Sequence, residues 1–386
     1  MAKSNATGAA QDFEVFDRRA DVLEKKRVLL DCFFSESRGI KRYILGRNRY
    51  SNYVIDYLNS QNLRVDAILD DFTSDTHYRQ IPIAKVDNVD LNNAYSILVS
   101  CVVDAKAYAP YNRLRKDGAH VVDYFALALY YPEKFDRIHH WDDNSKDILE
   151  NRQEYCWVYN LLADKLSKDT YKKVVDFRFN YDIDLMDSFS LRTENQYFED
   201  FLNIGPGEIF IDGGGFDAQT SVRLLEECPE CKKIYYFEPI AEMLQFSKKR
   251  LFAFQNIEYF QKCLHASARQ VYFDNSVGTA SRITSNGIPM DAVSIDETLR
   301  GAPVTLIKLD IEGAEYDALL GAQESIIVHK PKLAICIYHR QEHFWRIPKL
   351  IMSWHPDYQV YVRHYTQGTL ETVMFFVPPV LEASKN

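Results

Sequence analysis

Two segments concentrate the residues that could do chemistry: IFIDGGGFDAQT, from Ile209 to Thr220, and TLIKLDIEGAEYDALLGA, from Thr305 to Ala322. Each reads as an apolar strand ending in an acidic, glycine-bearing turn that runs on into a helix, the unit from which open α/β sheets build a ligand crevice. In the first, Gly213, Gly214 and Gly215 remove every Cβ from the bend, so a bulky ligand can lie against bare backbone. Asp212 and Asp217 stand beside those glycines, and the following helix adds the partial positive charge of its first amides. Such carboxylates repel a pyrophosphate and suit a ligand with a cationic head.

The sulfonium and ammonium of S-adenosylmethionine fit that description. Glu238, closing the next apolar run IYYFEP, stands where an acid accepts hydrogen bonds from both hydroxyls of a ribose; taken alone, it is equally an exposed acid before a proline-started helix. Asp212, Gly213, Gly214, Gly215, Asp217 and Glu238 are therefore the expected cofactor residues. In the second turn, Asp310 is placed at the crevice mouth, where it can meet the cofactor's amino group, a substrate hydroxyl or a metal. Glu312 shares its face while the strand persists. Glu315 reads as a satisfied acid of the first helical turn, and Lys308 as the partner of one of these acids.

Tyr338-His339-Arg340-Gln341-Glu342-His343 follows another apolar run. A histidine at a strand end is a candidate general base, because its unperturbed pKa is about 6.5. His339 and His343 could also ligate a metal, but HRQEH places its acid differently from the HExxH of zinc peptidases. The expectation is Asp310 and His339 as catalytic residues, Gln196, Tyr197, Glu312 and His343 at the substrate, and no metal. The polar stretches Gln196–Glu199 and Asp274–Ser281, and the cluster Arg363-His364-Tyr365 with Glu371, are expected to line the mouth.

The elements that must position these residues follow from order and period. KRYILG, LRVDAILDD, IPIAKVDNV, AYSILVSCV and HVVDYFAL read as strands, with helices at NRYSNYVIDYLNSQN and Ala105 to Lys116. This forms a small Rossmann-like domain over residues 1–128 with an N-terminal helix. Its first turn, Gly46 to Ser51, keeps only one glycine of the dinucleotide fingerprint, although Asp70 and Asp71 supply the acid. Residues 129–205 read as a helical connector with a helix from Lys146 to Leu166. Residues 206–386 form the second domain, an α/β fold with a mostly parallel sheet. Its last two strands, YQVYVRHY and ETVMFFVP, lack a crossover helix and must be antiparallel neighbours.

The chain has 386 residues, 46% apolar and 26% charged, with a net charge of −9. That balance gives no long-range attraction to nucleic acid or anionic membrane. No stretch is long and apolar enough to span a bilayer, and the opening residues lack the apolar core of a signal peptide, so the expected compartment is the cytoplasm. Seven cysteines are scattered singly apart from Cys228 and Cys231, whose CPEC reads as a loop between helix and strand.

The second domain resembles the FkbM-type methyltransferases, a branch of the class I S-adenosylmethionine-dependent enzymes. The resemblance is carried by IFIDGGGFDAQTS, YYFEP, VSIDETL, IKLDIEGAEYDALLGA and the ending LAICIYHR, YVRHY and ETVMFFV. Ala218 departs from the glycine common in the wider class and narrows the space. The resemblance implies that Asp212, Gly214 and Glu238 contact S-adenosylmethionine. It also implies O-methylation of a sugar, nucleotide sugar or glycan-related acceptor, as in polysaccharide biosynthesis. Two other classes compete: a NAD-dependent sugar oxidoreductase using Gly46 and Asp70, and a non-catalytic nucleotide-sugar binding protein.

Overall fold

Short runs of apolar residues, buried on both faces, build a parallel sheet in each of two compact units. The computed structural model describes residues 20–37, 39–135, 138–141, 144–274, 282–284 and 287–379. The first unit takes the chain up to Glu150, then Lys172–Leu191 and Tyr365–Leu370; the second takes Asn151–Tyr171, Arg192–His364 and the chain from Glu371. The segment 129–205 is thus shared between them.

In the first unit the strands are β1 (Lys41–Leu45), β2 (Ala67–Leu69), β3 (His77–Tyr78), β4 (Ile81–Ala84), β5 (Ser96–Ser100) and β6 (His120–Asp123), in the order β3-β4-β2-β1-β5-β6. All pairs are parallel except β3 with β4. After β1, Asn48 caps the helix Arg49–Ser60 by accepting from the amides of Tyr50 and Ser51, while Ser51 returns a bond to the Asn48 amide. Such a cap stabilises a helix by about 1 kcal/mol. Asn48 also donates to the Cys101 carbonyl (2.8 Å), and Arg47 is held by Asp70 (2.7 Å) and Asp75 (2.8 Å). Side chains of the turn itself thereby occupy the acid and two of the amides that a dinucleotide would use.

Two local expectations change. The run HVVDYFAL is strand only to Asp123, whose carboxylate accepts from the Ala126 amide (3.1 Å) and starts the helix Tyr124–Tyr130. The helix expected from Lys146 to Leu166 is broken into Asn144–Glu150, Arg152–Leu161 and the start of Lys165–Asn180. The turn Tyr365–Leu370 is tied to the loop after β5: the Tyr108 amide donates to Gln367 O and the Gln367 amide to Ala105 O. A Cβ on Gly368 would lie 1.4 Å from the Asp104 carbonyl oxygen.

In the second unit the strands are β7 (Ile209–Gly213), β8 (Lys233–Phe237), β9 (Ile257–Phe260), β10 (Cys263–Leu264), β11 (Arg269–Asp274), β12 (Arg282–Thr284), β13 (Ile288–Val293), β14 (Leu306–Leu309), β15 (Lys332–Cys336), β16 (Gln359–His364) and β17 (Thr372–Val377). The main sheet runs β16-β17-β15-β14-β7-β8-β9, and β10-β13-β11-β12 form a smaller one. β17 lies antiparallel to β16, as the missing crossover requires, and also to β15. The run NIEYFQKCL divides into β9 and β10, in different sheets, and the loop expected from Asp274 to Pro289 contains β12. Residues 275–281, expected at the mouth, lie outside the described residues. Cys228 and Cys231 are buried, their thiols bonded to the carbonyls of Gly205 and Glu208, as a loop reading of CPEC requires.

The chain leaves β7 for β8 and β9 on one side and returns as β14 on the other. A ligand crevice therefore opens between the carboxyl ends of β7 and β14. Because β17 runs the opposite way, Glu371 at its start reaches the same edge.

Candidate active site

The glycine turn after β7 is closed by protein on the sides where its Cβ atoms would stand. A Cβ on Gly213 would lie 2.7 Å from Leu309, one on Gly214 1.9 Å from the Asp310 carbonyl oxygen, and one on Gly215 2.1 Å from the Tyr236 ring. This corrects the expected reason for the glycines: neighbouring strands fill the space that was assigned to ligand. Phe216 and Ala218 then take left-handed backbone, with φ of +44° and +66°.

Asp212 is fully buried. Its carboxylate accepts from Ser221 Oγ (2.6 Å) and pairs with Lys308 Nζ (3.1 Å), so it holds the turn from below. Asp217 turns outward, accepting from the Gln219 amide and pairing with Arg250 (3.2 Å). Glu238, at the end of β8, accepts from the amides of Phe216 (2.9 Å) and Ile240 (2.8 Å), one on each oxygen. Burial raises its pKa, against the pull of those two amides. Each oxygen keeps a lone pair, so the carboxylate fits the two hydroxyls of a ribose.

Across the crevice, Tyr197 Oη donates to Asp310 Oδ2 (2.9 Å), Tyr338 Oη lies 3.4 Å from Oδ1, and His339 Nε2 lies 3.5 Å from Oδ1. Gln196 donates to Tyr197 Oη (2.8 Å) and to Glu371. Gln196, Tyr197, Asp310, Glu312 and His339 are thus brought together as the sequence reading requires. His343 is not at the mouth: it is buried behind Glu315, with Nδ1 3.3 Å from that carboxylate. Arg363 is also turned inward, bound to Asp164 (2.8 Å) and Ser167 (2.8 Å).

Glu315 and Lys308 were not singled out as site residues by sequence, and Glu371 was expected only as part of a polar cluster lining the mouth. Glu315, wholly buried, accepts from the amides of Ile311 and Gly313 and pairs with His339 Nδ1 at 2.8 Å. Glu371 approaches Asp310 from β17, and Lys308 lies under the glycine turn. Glu371 had a signal, a charged residue beside an apolar strand, but only the antiparallel pairing brings it here.

Charge in this cluster is strongly coupled. Burial alone would lower the His339 pKa, but Glu315 first, then Glu312 and Asp310, push it up to about 9. Burial raises Glu312 to about 8, and burial with the nearby Asp310 raises Glu371 to about 7. Burial would also raise Glu315, yet the two imidazoles hold it well below the usual carboxylate range. Tyr197, Glu312 and Glu371 carry φ of +71°, +56° and +66°. Left-handed backbone at non-glycine residues costs of order 1–3 kcal/mol each and persists where surrounding structure enforces it.

A seven-stranded sheet with β17 as its single reversed strand, a glycine turn after the strand beside the crossover, and an acid ending the next strand defines a class I methyltransferase fold. Residues 210–365 match the family described as the Methyltransferase FkbM domain. The protein is a methyltransferase that uses S-adenosylmethionine. A crystal structure of Methyltransferase FkbM from Methylobacillus flagellatus KT is similar in fold over 93% of this chain and 99% of that one, at 22% identity and a TM-score of 0.70. An rRNA methylase from Streptococcus thermophilus is similar over 46% of this chain and 92% of its own (17% identity, TM-score 0.32). Aeropyrum pernix fibrillarin, in complex with natively bound S-adenosyl-L-methionine, is similar over 45% and 68% (11% identity, TM-score 0.31). Among curated proteins none matches the sequence. No helix among the described residues is long and apolar enough to cross a membrane.

Proposed function

We propose that the enzyme methylates a hydroxyl of a saccharide acceptor, with Asp310 taking the hydroxyl proton. The carrying observation is the convergence of Tyr197, Tyr338 and His339 on the Asp310 carboxylate, beside the turn that fits the cofactor. Bound there, the cofactor supplies an already activated methyl group. What remains for the protein is to align an oxygen and remove its proton. Asp310, with 24% of its side chain exposed, reaches the mouth, whereas His339 is fully enclosed and keeps its own proton up to about pH 9. His339 therefore serves as the cation that holds Asp310 and Glu312 in place.

Gln196, Glu312 and Glu371 offer hydrogen-bonding groups to an acceptor with several hydroxyls. The Asp310 carboxylate beside them favours a neutral sugar or glycan over one carrying a diphosphate, whose charge it would repel. The test combines calorimetry of S-adenosylhomocysteine with methyl transfer to a panel of free sugars, glycans and nucleotide sugars, read by mass spectrometry. A product methylated on oxygen of a neutral saccharide supports the reading. Turnover confined to nitrogen, to RNA or to a protein acceptor would sink it.

A further inference from the structure

Lys308 is enclosed at the point where the main sheet changes direction. In the β7–β14 register it stands directly opposite Asp212, so both side chains leave the sheet on one face. Its ammonium donates to Asp212 Oδ1 (3.1 Å), the Gly213 carbonyl (3.2 Å) and the Gly214 carbonyl (2.7 Å). An ammonium has three hydrogens, and all three are directed into the glycine turn. On its other side the Tyr197 ring lies 5.4 Å away in a cation–π contact, and the Tyr197 hydroxyl continues to Asp310.

We infer that Lys308 is the positioning residue for S-adenosylmethionine: it sets the path of the Gly213–Gly214 backbone from beneath, and through Tyr197 it joins that turn to the acid on the acceptor side. The amides of Gly214 and Gly215 are meanwhile bonded to the Phe237 carbonyl, so the turn is fixed from β14 by Lys308 and from β8 by the strand itself. Without the ammonium, the Gly214 carbonyl loses its inward partner and is free to turn toward the ligand side, while the Gly213 carbonyl is left with the Asp310 amide (3.1 Å). Lys308 touches neither cofactor nor acceptor and acts only through the turn.

The inference rests on the use of S-adenosylmethionine, and its test separates the two. Binding of S-adenosylhomocysteine is measured by calorimetry for the full-length protein and for Lys308→Met, Lys308→Arg and the double variant Asp212→Asn with Lys308→Met, alongside melting temperature. The double variant removes both buried charges together, which avoids leaving one unpaired. The expected result is at least a tenfold rise in Kd in all three, with the double variant melting near the parent. In steady state the KM for the cofactor rises while that for the acceptor changes less than twofold. Parental affinity in either the arginine variant or the double variant overturns the inference, because Lys308 would then be only a counter-charge. If the parent itself fails to bind S-adenosylhomocysteine, the cofactor assignment fails instead.

Discussion

The proton on His339 decides which group can act as the base. Held by Glu315, it leaves Asp310 as the carboxylate reaching the mouth, so Asp310→Asn is expected to lower kcat by about 100-fold or more, with S-adenosylhomocysteine affinity within about twofold of the parent. Unchanged turnover at saturating acceptor would remove Asp310 from the role. The same cluster sets a pH dependence of stability. His339 rises from 6.5 to about 9 on folding, so its contribution is complete below pH 6.5 and is lost as pH climbs through 9. Glu312 rises from 4.5 to about 8, so the unfolded chain ionises first and folding is progressively disfavoured over that interval. Both effects lower the melting temperature between pH 6.5 and about 8, and Glu312→Gln should make the decline there shallower; a decline as steep as the parent's would refute this. Asp310, Glu312 and His339 were legible in sequence as acids and a histidine at strand ends. The charge state of His339 was not, because it depends on Glu315 and on enclosure that no local pattern reveals.

At the scale of elements, the glycine turn is a packing solution before it is a binding surface. Gly214 has a φ of +76° and a Cβ position within 1.9 Å of backbone oxygen, so Gly214→Ala should cost about 1–3 kcal/mol or more and abolish cofactor binding. Gly205→Ala, where the nearest neighbour is 4.0 Å away, should change neither. Chemical denaturation with calorimetry distinguishes these outcomes. The strands β7, β8, β14 and β15 could be read from their apolar runs because strands buried on both faces show nothing else. Helix breaks were harder: AEYDALLGAQESII is two helices, Glu315–Leu320 and Gln323–His329, since Gly321 packs against the His265 carbonyl. That contact joins residues far apart in sequence, so periodicity does not report it. The antiparallel relation of β16 and β17 was inferable, but the pairing of β17 with β15, which delivers Glu371, was not.

For the whole molecule, the second unit does not begin where the motifs of its sheet do. The second unit also includes Asn151–Tyr171 and the residues from Arg192, and these bring Asp164 and Ser167 to the buried Arg363. A fragment comprising residues 206–386 would leave that guanidinium without these partners. Breaking a buried pair costs about 3–5 kcal/mol, so the fragment is expected to lack a cooperative urea transition that the full chain shows. A sharp transition with native circular dichroism would contradict this. The sequence reading put the boundary at 206, in the Gly205-Pro206-Gly207 turn that delivers the chain to β7. Contacts made by the earlier helices are tertiary and leave no such mark.

The hairpin between β16 and β17 carries a practical consequence. Tips of β-hairpins are ordinarily good sites for an epitope tag or a fluorescent reporter, being exposed and loosely packed. Here Tyr365, Thr366 and Thr369 are buried, and Gly368 meets the Asp104 carbonyl closely enough to exclude a single methyl group. An epitope inserted at this tip would have to break the backbone bonds to Ala105 and Tyr108. A label intended to leave the enzyme intact belongs elsewhere, for instance at Phe72, which is fully exposed after β2.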